Sequence, residues 1–398
     1  MNITIEPRKL FGKLNIIPSK SQAHRLLICA ALADKVSEVY CPEINEDISA
    51  TVRCLSALGA QISRTTNGYK ILPVTDLPEF VVMDCGESGS TLRFMLPIVG
   101  ALGVTTTFEL HGRLHKRPLS PLWEEMERMG CTLSRPTENT LLCTGRLHSG
   151  VYHINGNVSS QFITGLLLAA PLLLGDTTLN LIGKVESLPY IHMTQMALSM
   201  FGIFSDNYQI FANQKYISPG YLTVEGDWSN GAFFLAANTL GSDVDIKNLD
   251  CHSCQGDQAV TVWLKELTSF CTIDVSDIPD LVPILSVVAA ANQGARFTNI
   301  ARLRLKESDR VHSVIAMLNS LGITAIDEGD ALLVSPGKIT GGCVESFNDH
   351  RIAMAAAIAA TVASGSVTIV NAECVAKSYP AFWDEYKRLG GHYEQYLR

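Results

Sequence analysis

Pro18-Ser19-Lys20-Ser21-Gln22-Ala23-His24-Arg25 runs straight into the apolar stretch Leu26 to Ala33. A polar cluster ahead of an apolar run marks a helix start, because Ser, Asp and Asn side chains accept hydrogen bonds from the first-turn N–H groups. The same pattern recurs at Ser88-Gly89-Ser90, Ser159-Ser160-Gln161, Asp227-Trp228-Ser229, Asp280 and Asn348-Asp349-His350-Arg351. About forty residues after each opening comes a second marker: Leu58-Gly59, Met129-Gly130, Phe201-Gly202, Leu267-Thr268, Leu321-Gly322 and Leu389-Gly390. A spacing held over most of the chain is an internal repeat, here in six copies.

Within a copy the order reads helix, short strand, second helix, then strands. In the first, Glu38-Val39-Tyr40 follows the apolar run. Asp47 to Leu58 is an amphipathic helix stopped by Gly59, and Gln61 to Arg64 and Tyr69 to Leu72 alternate as strands. Repeated units of this kind give an α/β or α+β protein. The fourth copy has Thr268 in place of Gly, and the interval from the fourth to the fifth is short. A break near Val224-Glu225 therefore groups three copies on each side. Asn207 to Gly220 reads as a surface hairpin just before it, and no Pro-rich linker separates the halves, so a tight two-strand hinge is expected.

Hydrophobic residues make up 47% of the chain and charged residues only 18%. The excess lies in the apolar runs, none of which reaches the roughly 18 residues a membrane span needs, so they read as helices buried on all sides of a soluble protein. A net charge of −8 argues against nucleic acid or an anionic membrane as partner. Met1 to Pro7 has no secretion-signal pattern, and 11 scattered cysteines suit a reducing cytoplasm. Cys251-His252-Ser253-Cys254 is a lone CxxC without a second pair at zinc-site spacing.

Three clusters are rich in groups that bind anions or move protons. The first opening carries Lys20 and Arg25. Arg302, Arg304, Lys306 and Arg310 surround Glu307 and Asp309 in a single turn, and Asn348-Asp349-His350-Arg351 is followed by Lys377. Arg93 and Arg117 add to the set. For any one copy, simple capping is the plainer reading. Several helix starts brought together would instead pool N–H groups and dipole ends into an anion site.

Pro18–Arg25, Gly86–Arg93 (GESGSTLR), His115–Pro118 (HKRP), Ser159–Phe162 (SSQF), Glu225–Ser229 (EGDWS), Ile278–Asp280, Lys306–Arg310 (KESDR) and Asn348–Arg351 stand in one order along the whole length. In that order they resemble the 5-enolpyruvylshikimate-3-phosphate synthase family of enolpyruvyl transferases. The resemblance implies an α/β fold, a two-domain inside-out α/β barrel of six βαβαββ-type units, three per domain. The N-terminal domain would be 18–225, and the C-terminal domain 1–17 plus 226–398, with the active site in the cleft between them. It further implies transfer of the enolpyruvyl group of phosphoenolpyruvate to the 5-hydroxyl of shikimate 3-phosphate. Both substrates are phosphate monoesters, so a cationic site is needed. The resemblance implies no metal, no other cofactor, and a monomer without nucleic-acid or membrane partners.

Carried over position by position, the resemblance puts shikimate 3-phosphate on Lys20, Ser21, Arg25, Ser159, Ser160, Gln161, Ser187, Tyr190, Asp280, Arg302 and Lys306. It puts phosphoenolpyruvate on Lys20, Gly89, Arg117, Gln161, Arg310, Arg351 and Lys377. Asp280, Glu307 and Lys20 are the candidate catalytic groups: Asp280 as base at the 5-hydroxyl, Glu307 for proton exchange at the methylene carbon, with Lys20 and Lys306 close by. Arg93, Asp349 and His350 read either as ligands or as residues that orient their neighbours. Glu87 and Arg302 each stand where Asn is commoner in the family, and Ser90 and Phe94 differ as well. These positions bear on the response to glyphosate, a phosphoenolpyruvate-competitive inhibitor of the family. The alternatives are a UDP-N-acetylglucosamine enolpyruvyl transferase, whose loop normally carries a Cys absent from Gly112 to Pro118, and a non-catalytic phosphometabolite-binding descendant.

Overall fold

The computed structural model describes residues 1–396; the last two positions of the range 226–398 lie outside the described residues. The chain divides into two compact units. One is Pro18–Val224; the other joins Met1–Ile17 to the chain from Glu225 onward. Each has its own apolar core.

The unit Pro18–Val224 holds α1 (Lys20–Ala31), α2 (Glu46–Ala57), α3 (Gly89–Leu102), α4 (Leu122–Arg128), α5 (Ser160–Ala169) and α6 (Leu188–Met200). Helices α1, α3 and α5 are the apolar runs behind the first three openings, and nearly every side chain on them is buried. Gly165 lets α5 lie close on α3: a Cβ there would stand 2.2 Å from the Arg93 carbonyl oxygen. Three four-stranded sheets complete the unit. In one of them Phe80–Asp84 runs parallel to Thr105–Glu109, across α3, and the hairpin Cys131–Ser134 and Thr140–Gly145 extends it antiparallel. A parallel pair needs such a crossover, and a single buried helix supplies it in four of the six parallel pairs; Ser37–Tyr40 with Tyr221–Thr223, and Phe11–Asn15 with Asp243–Lys247, are joined by much longer stretches of chain. Asn207 to Gly220, expected as a hairpin, contributes only Gln209–Ile210, paired with Ser205–Asp206.

The other unit holds α7 (Trp228–Thr239), α8 (Val260–Glu266), α9 (Val282–Ala291), α10 (Arg310–Ser320), α11 (His350–Ala360) and α12 (Phe382–Arg388). The N-terminal strand β1 (Asn2–Glu6) sits between Val367–Val370 and His392–Tyr396, antiparallel to both. The next strand, β2 (Phe11–Asn15), pairs in parallel with Asp243–Lys247, and this sheet has two strands only. The reason lies in the chain after α8, which passes from Leu267 directly into Cys271–Asp274, the lead strand of the next copy. The fourth copy has therefore lost its hairpin, which accounts for its short interval. The five closing glycines, Gly59, Gly130, Gly202, Gly322 and Gly390, all take positive φ; Thr268 replaces the sixth where no hairpin follows.

Candidate active site

Five of the six openings are capped by their own side chains. Ser19 Oγ accepts from Gln22 N at 3.4 Å, Ser88 Oγ from Thr91 N at 3.2 Å and Ser159 Oγ from Gln161 N at 3.3 Å. Asp227 accepts from Asn230 N at 2.8 Å and Asp349 from Arg351 N at 3.0 Å. Capping and ligand binding are not exclusive, because a serine that accepts from its helix still has an O–H to donate. The exception is Asp280. It lies in the single 3-10 turn Pro279–Leu281 ahead of α9 and caps nothing.

The Asp280 carboxylate instead collects cations. Arg310 Nη1 donates to it at 2.5 Å, Lys306 Nζ lies at 3.1 Å and Arg351 Nη2 at 3.2 Å. Burial pushes its pKa up, but Arg351, Lys306 and Arg310 outweigh burial and hold it well below the usual carboxylate range. Arg310 is 1% exposed and also bonds Glu307 at 2.7 Å and Asp349 at 2.8 Å. Lys306 is pushed down to about 8, first by burial and then by Arg310 and Arg302, with Asp280 and Glu307 pulling the other way. Lys377 donates to the Asn348 carbonyl at 3.0 Å, at the mouth of α11, where Asn348 takes φ 56. Arg304, counted with the same basic run in the sequence, turns away and pairs with Asp327 at 2.8 Å.

A second cluster lies on the unit Pro18–Val224. Lys20, the first residue of α1, reaches Asp47 at 2.9 Å. Gln161 links two openings: its amide donates to Ser90 Oγ at 2.9 Å and its carbonyl accepts from Arg93 at 2.6 Å. Arg93 also donates to the Pro118 carbonyl at 2.9 Å, beside Arg117. Arg93 and Asp349 thus both bond neighbouring groups. Arg25 spends four N–H bonds on Thr194, Ser21 O, Thr164 and Tyr190 O, clamping α1, α5 and α6 together. Ser187 is buried in the left-handed region at φ 55, immediately before α6. Ser160 is buried at the head of α5, and Arg117 lies against Gly89.

Sequence reading missed two carboxyls, Asp47 and Asp257. Asp257 is 1% exposed, accepts from Ser229 Oγ, and is pushed up to about 6 by burial and by the Asp280 charge, against Arg351. Among the described residues, Asp84, Glu109 and His111 form the one group with metal-ligand geometry, its ligand atoms within 4.8 Å of one another. There Arg53 lies 3.2 Å and His111 3.0 Å from Asp84, so the Arg53 guanidinium already supplies compensating charge.

A family model described as EPSP synthase (3-phosphoshikimate 1-carboxyvinyltransferase) matches residues 5–386. The chain belongs to the EPSP synthase family. A protein of Clostridium acetobutylicum named 3-phosphoshikimate 1-carboxyvinyltransferase is 40% identical, over 98% of this chain and 97% of its own. One of Clostridium novyi bearing the same name is 40% identical, over 98% of both. The solved EPSP synthase of Acinetobacter baumannii superposes with a TM-score of 0.80 at 24% identity, covering 99% of this chain and 100% of that one. Its fold is shared, and the inside-out α/β architecture that the resemblance implied is the one found here: buried helices and sheets within each unit. No helix among the described residues is long and apolar enough to cross a membrane.

Proposed function

We propose that the two clusters divide the work of enolpyruvyl transfer from phosphoenolpyruvate to the 5-hydroxyl of shikimate 3-phosphate. The observation that carries this reading is Asp280, the one opening carboxylate that caps no helix and faces three cations. As base, it takes the 5-hydroxyl proton while that oxygen bonds to C2 of phosphoenolpyruvate and C3 gains a proton. Glu307 and Lys20 are the groups assigned to that second proton. Loss of the C3 proton and departure of phosphate from the tetrahedral intermediate complete the transfer. Bound phosphates would draw the cations off Asp280 and raise its basicity at the moment it is needed.

Ser21, Arg25, Ser159, Ser160, Gln161, Ser187, Tyr190, Arg302 and Lys306 hold shikimate 3-phosphate in this reading. Gly89, Arg117, Arg310, Arg351 and Lys377 hold phosphoenolpyruvate, with Lys20 and Gln161 touching both. Residues of this set come from both units. Eleven cysteines without a disulfide among the described residues support the cytoplasm as the compartment. The test is phosphate release from phosphoenolpyruvate with shikimate 3-phosphate, beside UDP-N-acetylglucosamine as acceptor. Release with shikimate 3-phosphate alone is expected; release with the sugar nucleotide, or none with either, would overturn the reading.

Two further outcomes are expected. A Cβ on Gly89 would stand 2.6 Å from Arg117 Nη1 and 2.9 Å from its Cζ. The obstacle is the far end of a flexible side chain, so Gly89→Ala should fold normally while displacing the guanidinium. Its KM for phosphoenolpyruvate should rise about tenfold or more, the worth of one charge-assisted contact, with KM for shikimate 3-phosphate little changed. Lys306 is protonated below about pH 8 and neutral above it. Turnover should therefore fall as the pH rises through that value, and Lys306→Arg should carry this limb beyond pH 10, since Arg stays protonated. A pH–rate profile reads both.

A further inference from the structure

Beneath the openings of α1, α2 and α3 runs a buried chain of polar groups that the transfer reaction as assigned above does not use. His24 Nδ1 lies 2.7 Å from Thr51 Oγ1, which lies 2.7 Å from Thr91 Oγ1. Thr91 Oγ1 in turn donates to Ser88 Oγ at 2.8 Å. All four residues are at most 1% exposed. Such a chain is fixed by counting hydrogens. Burial pushes His24 down to about 3, so its ring is neutral and carries one N–H. Thr91 has one hydroxyl hydrogen, and Ser88 Oγ at 2.8 Å is a far nearer acceptor for it than the Asp47 carbonyl at 3.4 Å; with that hydrogen given away, its oxygen accepts from Thr51. The Thr51 oxygen then accepts from His24, which places the ring proton on Nδ1. Ser88 Oγ, already accepting from the Thr91 hydroxyl and the Thr91 N–H, has only its own O–H left to offer.

The chain also joins two parts of the site. Thr91 Oγ1 lies 3.4 Å from the backbone carbonyl of Asp47, whose carboxylate holds Lys20. Its other neighbour, Ser88, immediately precedes Gly89. We propose that Thr91 is a positioning residue. Through Ser88 it sets the Gly89 turn against the Lys20–Asp47 pair and makes Ser88 a one-way donor toward the anion bound at that turn. This rests on the reading that phosphoenolpyruvate lies at Gly89. The hydroxyl relay then governs how donor and acceptor phosphates are spaced, although its threonines and His24 lie buried behind the turn.

The test compares Thr91→Val, which keeps the shape and loses the hydroxyl, with Thr91→Ser, which keeps the hydroxyl. Thr51→Val and the double valine variant complete a cycle. Thr91→Val should raise KM for phosphoenolpyruvate about tenfold, with KM for shikimate 3-phosphate within about twofold, the loss of roughly one buried hydrogen bond. Thr91→Ser should restore most of it. The double variant should be no worse than Thr91→Val alone, because both substitutions cut one chain. A melting temperature that falls while KM for phosphoenolpyruvate stays put would overturn the proposal, leaving the relay as packing only. So would additive effects in the double variant. Gly89→Ala is measured alongside: an unchanged KM there would overturn the placement of phosphoenolpyruvate at the turn, whatever the threonine variants show.

Discussion

Asp280→Ala is expected to lose about a thousandfold or more in kcat for phosphate release, within the range that removing a positioned base produces. The same substitution should also lower stability. In this cluster Lys306, Arg310 and Arg351 all pair with Asp280, and Arg310 also with Glu307 and Asp349. Deleting the Asp280 carboxylate removes a shared partner of all three cations, with Arg310 too deeply buried for water to compensate. Breaking a buried pair in this way costs about 3–5 kcal/mol. Asp280→Asn separates the two effects, because the amide keeps an acceptor oxygen for the cations and is no base. Its turnover should fall nearly as far, with a smaller drop in melting temperature. Because the folded-state pKa of Asp280 is depressed, its contribution to stability is present above the ordinary value of 3.8 and is lost as the pH falls below it. The wild-type acid-unfolding limb should therefore weaken in both variants. Turnover within tenfold of wild type in Asp280→Asn would remove Asp280 from the role of base.

Asp280 shows how a local sequence pattern could mislead about what a residue bonds. By pattern it was one more polar residue ahead of an apolar helix, like Ser19 or Asp227. At Ser19, Ser88, Ser159, Asp227 and Asp349 that pattern has a local cause, a cap within three residues, and local causes are legible. The partners of Asp280 come from Lys306, Arg310 and Arg351, far along the chain, and only the family resemblance connected them. Asp47, Thr51 and Thr91 were illegible for a related reason. A threonine inside a helix usually faces solvent or bonds its own turn, and no spacing rule ties Thr51 to Thr91. The short fourth copy was visible as a number, yet its cause, a missing hairpin, required the strand pairing of β2 with Asp243–Lys247. Arg304 fails in the opposite direction, since adjacency in sequence grouped it with Lys306 and Arg310 while the turn sends it to Asp327.

Asp349→Ala should be the most destabilising single change in the same cluster. Asp349 is 0% exposed and accepts from Arg310 Nε at 2.8 Å, Ser308 Oγ at 3.1 Å and Arg351 N at 3.0 Å. Alanine would strand the buried Arg310 Nε, at about 3–5 kcal/mol, and remove the cap of α11, at about 1 kcal/mol. At roughly 2–4 °C per kcal/mol for a unit of this size, the melting temperature should fall by about 10–20 °C. Arg310 would then be held by Asp280 and Glu307 alone and drawn toward them, which should raise KM for phosphoenolpyruvate as well. Asp349→Asn distinguishes charge from shape: its oxygen can still cap α11 and meet Arg310, but as a neutral acceptor. If the pairing of charges dominates, Asn should recover only the cap and stay close to Ala in melting temperature and KM. If hydrogen-bond geometry dominates, Asn should lie near wild type. The depressed pKa of Asp349, held down against burial by Arg310, favours the first outcome, since a carboxylate at full burial persists only where a cation compensates it. A fall of less than 2 °C in Asp349→Ala would show instead that the cluster relaxes around the loss, and that Arg310 is held in place without it.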